Sequence, residues 1–233
     1  ERLQVFSQLH VSPVLATFPG RTEEVPVVRT TVREGRAAQT ILWQSALDDI
    51  ALVVLGGVGA GAGKQAPGLF GGVARTLALQ GACPVILIPR DYGFTRVERL
   101  ALAFAAIDDI SRMSAITRRI ITALRPQVHF VHVRREDAEG KGAEAAVRRE
   151  EAFRQLSRVP GVPESSYCFD ALPAGKVTET LIHYTKQHRI DLLVLGGQRR
   201  TFFERLFETG HLRPLINRCG VPLLIIPFHL EEL

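Results

Sequence analysis

The chain says nearly the same thing twice. "DIALVVLGGVGAGAGKQAPGLFGGVARTLALQGACPVILIP" (Asp49–Pro89) and "RIDLLVLGGQRRTFFERLFETGHLRPLINRCGVPLLIIP" (Arg189–Pro227) share one plan: an apolar run, a Gly-Gly, a charged stretch, and a second apolar run closed by proline. The register holds beyond these segments. Gly35 aligns with Gly175, Ile41 with Leu181 and Gly56 with Gly196, each pair 140 residues apart; Pro84 aligns with Pro222 at 138, so the first glycine loop is two residues longer. A repeat of this length implies duplication of a domain, since solenoid units are far shorter. The boundaries expected are a first copy over 1–90, a linker over 91–96 within "RDYGFTR" (Arg90–Arg96), and a second copy over 97–233.

The second copy alternates apolar runs with helical stretches. "LALAFAAID" (Leu100–Asp108) reads as a strand buried on both faces. A helix follows over 111–124, stopped by Arg125-Pro126. Then come the strand "VHFVHV", a helix over 143–156, the strand "SYCFDA", a helix over 175–188, the strand "DLLVLG", a helix over 202–218 and the strand "PLLIIP". Parallel strands need long crossovers, usually helical, so the pattern predicts an α/β fold with a five-stranded parallel sheet and helices on both faces. The first copy is less complete. "LQVFSQLHV" (Leu3–Val11) and "VPVVRTTV" (Val25–Val32) read as its second and third strands, with nothing before them to supply a first. A doubly wound sheet without its central strand is not expected to be stable. The expectation is therefore that further residues precede Glu1 and others belong near 18–24, or that a partner chain lends a strand.

Composition narrows the function classes. An apolar fraction of 46% with 23% charged residues is ordinary globular material, and no apolar run approaches the ~18 residues of a membrane span. The net charge of +5 comes from basic residues interleaved with acids, as in "RREDAEGKGAEAAVRREEAFR", and no basic-aromatic stripe is present, so nucleic acid is not the expected partner. Cys83, Cys168 and Cys219 are odd in number and lack CxxC spacing, which suits reduced thiols in a cytoplasmic protein.

Taken together, the strand-turn motifs resemble the universal stress protein family, here in tandem form. "IDLLVLGG" with "CGVPLLIIP", and "IALVVLGG" with "ACPVILIP", match its fourth and fifth strands, and Asp109, Ser111 and Ser114 match the D-x-S-x-x-S loop that ends its first. The resemblance implies two Rossmann-like or flavodoxin-like domains, each a parallel five-stranded sheet, packed as a pseudo-dimer through "PVILIP" and "PLLIIP", with a homodimer as a further assembly. It implies a stress-response binding or regulatory protein rather than an enzyme, with an adenine nucleotide, ATP or AMP, as ligand and magnesium beside the phosphates near Asp108-Asp109.

The residues that such a site would use are Asp109, Ser111, Ser114, Val133, Gly196, Gly197, Arg199, Arg200, Thr209 and Gly210. The family's G-x2-G-x9-G-(S/T) loop is damaged here. Arg199 stands at its second glycine, and Thr209-Gly210 reverse its last pair. Arginines hold phosphate by charge, but Gly196-Gly197 also suffices as a plain strand exit, and the sequence leaves both open. In the first copy, Gly56, Gly57, Gly59, Gly61, Gly63, Lys64, Gly71 and Gly72 are in excess of the motif. Gly63-Lys64 fails the P-loop test, with Val58 at the first glycine's place and Gln65 after the lysine, and the dinucleotide fingerprint would follow a fourth strand instead of a first. Asp109 also suits a helix cap. No metal motif is present. His129 and His132 lie on an apolar strand as core or edge residues, and His183 and His188 are spaced by five. Two other classes remain: the cytoplasmic regulatory domain of a membrane cation transporter, and a slow nucleotide hydrolase.

Overall fold

In a computed structural model of the protein, the described residues are 27, 29–56, 73, 76–77, 80–89, 92–93, 96–104, 115–133, 150, 167–172, 177–195, 215 and 218–226. The chain divides into two compact units, Glu1–Arg36 and Ala37–Leu233. In the first unit, residues 27 and 29–36 form neither helix nor strand, and Val27 and Val32 are 82% and 74% exposed. The strand expected over Val25–Val32 is thus not formed at its described positions. Alternating β-branched residues favour a strand only when a partner strand and a covering layer bury them.

The second unit holds a seven-stranded sheet. In chain order its elements are helix α1 (Ala37–Ser45), strands β1 (Val53–Gly56), β2 (Val85–Ile88) and β3 (Arg99–Phe104), helix α2 (Ala115–Leu124), strands β4 (Gln127–Val133) and β5 (Tyr167–Leu172), helix α3 (Val177–Gln187), and strands β6 (Leu192–Leu195) and β7 (Leu223–Ile225). The spatial order is β1-β2-β7-β6-β3-β4-β5. Every neighbouring pair is parallel except β2 and β7. Numbered within the second copy, β5-β4-β3-β6-β7 run 3-2-1-4-5, the Rossmann-like order.

Strand alternation divides the core into two layers. Ala101, Ala103, Val131, Leu193, Leu195, Leu223 and Ile225 point to one face, where Leu181, Ile182 and Tyr184 of α3 cover them. Leu100, Leu102, Phe104, Val128, Phe130, Leu192, Val194 and Leu224 point to the other, against Ile121 of α2. Odd-numbered positions of β3 and β4 therefore face α3 and even-numbered ones face α2, as the period of two requires. Covering on both faces is what lets β3, β6 and β7 be apolar at nearly every position. By contrast β1 alternates half-buried and exposed residues, with Val54 60% exposed.

The helix ends show how local sequence sets the registers. α2 stops where expected: Arg125 takes a left-handed φ of 49° and Pro126 follows. α3 ends in a Schellman arrangement, with Ile190 N donating to Thr185 O at 2.9 Å, Arg189 N to Lys186 O at 3.4 Å, and Arg189 at φ 52° where glycine is usual. One residue on, Asp191 Oδ2 accepts from the backbone N–H groups of Glu98 (2.9 Å) and Arg99 (2.8 Å), and so fixes the start of the central strand. Gly81 is needed for close approach, since a Cβ there would lie 2.4 Å from the carbonyl oxygen of Leu77.

Candidate functional site

In a doubly wound sheet, ligands bind beyond the carboxyl ends of the strands where the order reverses. Here that point lies between β3 and β6. Ala103 is in register with Leu195 on one side and with Val131 on the other. Consequently the chain leaving Phe104 and the chain leaving Leu195 depart from adjacent parallel strands at the same edge of the sheet. They lead into the Asp109 loop and the Gly196 loop respectively. Asp109, Ser111, Ser114, Gly196, Gly197, Arg199, Arg200, Thr209 and Gly210 themselves lie outside the described residues. Val133 is the last residue of β4, paired with Leu172 at that same edge. In the first copy Gly56 ends β1, paired with Ile88, with open space where a Cβ would stand. Gly57, Gly59, Gly61, Gly63, Lys64, Gly71 and Gly72 lie outside the described residues.

A second constellation sits under α3, toward the amino half of β4. His129 is directly opposite Cys168 across the β4–β5 ladder, and Asp170 is two residues further along β5. All three share the α3 face. Tyr184, on α3, donates a short hydrogen bond to Asp170 Oδ2. His129 Nδ1 lies 2.8 Å from the same phenol oxygen. Because the one phenol proton points to Asp170, this network assigns the imidazole proton to Nδ1 and leaves Nε2 as a lone pair. That Nε2 is buried and has no hydrogen-bond partner. Cys168 Sγ lies 3.4 Å from Asp170 Oδ2. His188, one turn beyond Tyr184, stacks on the phenol with ring centroids 4.1 Å apart and stands 5.6 Å from the His129 ring.

Burial explains the electrostatics of this cluster. It holds the His129 imidazole below its ordinary pKa, with His188 pushing the same way and Asp170 opposing. It holds the Tyr184 phenol far above its own, reinforced by the bond to Asp170. A neutral imidazole and a neutral phenol beside a carboxylate form a proton-retaining set, poorly suited to a phenolate nucleophile. His132 points to the opposite face and stacks on Phe104 at 5.5 Å, while His183 is exposed. Sequence patterning places His129 on the strand but does not gather these groups, which come from three elements. The available signal is an aspartate and a cysteine, two residues apart, inside the otherwise apolar strand "YCFDAL".

The architecture defines a doubly wound α/β protein. Residues 12–89 match the model of the universal stress protein family, so the likeness to that family holds over a segment that falls within the first copy. Among solved structures, the chain is similar to a universal stress protein from Archaeoglobus fulgidus DSM 4304, with 16% identity and a TM-score of 0.56 over 82% of this chain. It spans 64% of that protein's length. It is also similar to a functionally unknown protein from Pseudomonas aeruginosa PAO1, with 15% identity and a TM-score of 0.54 over 85% of this chain and 72% of that one. A universal stress protein solved in complex with cAMP aligns with 57% of this chain and 99% of its own at 13% identity; its TM-score of 0.39 carries no weight for the fold. No curated protein matches the sequence. Among the described residues no helix is long and apolar enough to cross a membrane.

Proposed function

We propose that the protein is a tandem universal-stress-type regulator, cytoplasmic and without catalytic activity, that binds ATP or AMP beyond the carboxyl edge of its second sheet. The observation that carries this is the reversal of strand order between β3 and β6, which starts the Asp109 loop and the Gly196 loop from neighbouring strands. Asp109 would accept from the nucleoside and cap the helix behind it. Ser111 and Ser114 would line the same loop. Gly196 and Gly197 let backbone approach a phosphate, and Arg199 and Arg200 supply the charge that the missing glycine leaves unreplaced. Thr209 and Gly210 would close the phosphate end, with magnesium bridging to it.

Pseudo-symmetry supports the tandem part of this reading. α1 and α3 begin 140 residues apart, at Ala37 and Val177. The bond from Val53 N to Pro84 O recurs between Leu193 N and Pro222 O, both at 3.0 Å. Across the antiparallel seam Ile86 pairs with Leu224, its own repeat equivalent at an offset of 138, flanked by Val85–Ile225 and Leu87–Leu223. An isologous contact has this form: Val85 meets the equivalent of Leu87, and Leu87 the equivalent of Val85, about a two-fold axis at Ile86–Leu224. These features support a domain division of 1–90 and 97–233 with a pseudo-dimer through the last strands.

Calorimetric titration of the chain with ATP and with AMP, beside an Asp109→Ala variant, tests the proposal. Micromolar binding to the parent, weakened at least tenfold in the variant, is expected. Absence of heat for both nucleotides, with the fold intact by circular dichroism, would reduce Gly196-Gly197 to a strand exit.

A further inference from the structure

The buried cluster under α3 does not belong to the carboxyl edge of the sheet, and its donor set is that of a metal site. We propose that His129, Cys168 and Asp170 bind a zinc-class divalent cation. One ligand atom from each of the first three lies within 4.8 Å of the others. Tetrahedral coordination by sulfur, nitrogen and oxygen at bond lengths of ~2.0–2.3 Å places ligand atoms about 3.3–3.8 Å apart. The trio would therefore draw together on binding a cation.

Three physical arguments favour a cation of this kind. First, the set mixes a soft thiolate, a borderline imidazole and a hard carboxylate, which selects zinc or cobalt over magnesium or calcium, whose sites are built of oxygen. Second, charge closes. Cys168 as thiolate and Asp170 as carboxylate carry two negative charges, and a divalent cation cancels them in a region where an unpaired charge is costly. The thiol proton leaves to solvent on binding, and no electron is transferred. Third, His129 is 5% exposed and its buried Nε2 has no hydrogen-bond partner. A buried acceptor left unsatisfied is costly, so Nε2 gains by taking a ligand. Tyr184 then acts from outside the shell, its phenol joining the His129 ring to Asp170 in the way that outer hydrogen bonds orient ligating histidines.

The site joins β4 to β5, so the cation would stabilise the fold. The test uses the full chain, stripped with EDTA under a non-chelating reductant and titrated with Co2+ and with Zn2+. One cobalt per chain, a thiolate-to-metal charge-transfer band, tetrahedral d–d absorption and a Tm raised by zinc are expected. Cys168→Ser should abolish the charge-transfer band. His129→Gln and Asp170→Asn should each weaken zinc by more than the ~10- to 100-fold that loss of an outer partner costs. Cys168→Ser changes a half-buried side chain by one atom and keeps the test decisive if the buried His129 variant fails to fold. No stoichiometric binding by the parent, or binding of equal strength in Cys168→Ser and Asp170→Asn, would overturn the assignment. Nucleotide binding does not enter any of these readouts.

Discussion

Asp191→Ala should loosen the central strand of the sheet, and the size of the effect can be worked out from two bonds. In the folded protein Asp191 Oδ2 accepts from Glu98 N at 2.9 Å and from Arg99 N at 2.8 Å, while Asp191 N donates to Arg99 O at 2.8 Å. Alanine keeps the third bond and removes the first two. The Glu98 amide is exposed, and water replaces the lost acceptor at a cost of roughly 0.5–1 kcal/mol. The Arg99 amide is partly buried where β3 enters between β4 and β6. Its loss of a charged acceptor costs roughly 1.5–2 kcal/mol. The sum is about 2–3 kcal/mol, or a fall in Tm of about 4–12 °C for a chain of this size. Asp191→Asn keeps an acceptor without its charge and should recover about half. Urea unfolding followed by far-ultraviolet circular dichroism reads both variants, with the midpoint moving at constant m-value. A loss below ~0.5 kcal/mol for the alanine variant, or equal losses for both variants, would show that the carboxylate does not anchor β3.

Two further outcomes follow from local geometry. Arg189 sits at φ 52° in the Schellman end of α3, so Arg189→Gly should raise stability by about 0.5–1 kcal/mol, the relief of left-handed strain outweighing the added freedom of glycine in the unfolded chain; a loss in urea midpoint would contradict this. None of the three cysteines forms a disulfide, and burial raises the thiol pKa of Cys83 and of Cys219, the latter partly offset by its hydrogen bond with Thr185. A raised thiol pKa lowers the thiolate fraction at a given pH, so iodoacetamide at neutral pH should label the half-buried Cys168 of the metal-free chain first and the other two only at the rate of unfolding; peptide mapping by mass spectrometry checks the order.

How much of this was legible beforehand depends on the range of the interactions involved. Strands such as "LALAFA" and "DLLVLG" are readable because burial on both faces removes every polar choice along the run. The stop of α2 is readable because proline restricts the residue before it. Strand order is not, since it rests on pairings such as Leu102–Val194, 92 residues apart, that no local pattern encodes. Val25–Val32 shows the limit from the other side: its residues have strand propensity, but Val27 and Val32 remain exposed and the described positions stay irregular. The residues proposed for a nucleotide site follow only from the family motif, and apart from Gly56 and Val133 they lie outside the described residues. Sequence pattern makes His129 a core or edge residue and leaves the polar cluster ungathered, because its parts are spread from His129 to His188. Only pairing of β4 with β5, and the packing of α3 on both, brings them together.

The two candidate sites draw on different properties of the same sheet, and this is why one carries a loop motif and the other does not. A switch-point site uses strand ends. Its residues sit in loops, where sequence must specify backbone conformation directly, so glycines, serines and an aspartate at fixed spacing leave a visible trace. A site on a strand face uses the period of two. It needs only that polar residues replace apolar ones at same-face positions on neighbouring strands, as Cys168 and Asp170 do opposite and beside His129. Each replacement alone would leave an unpaired group in the core. Together with Tyr184 they satisfy one another apart from the single Nε2 lone pair of His129. The network ends on one buried acceptor that none of its members satisfies, and that residual valence is what the proposed cation would take up.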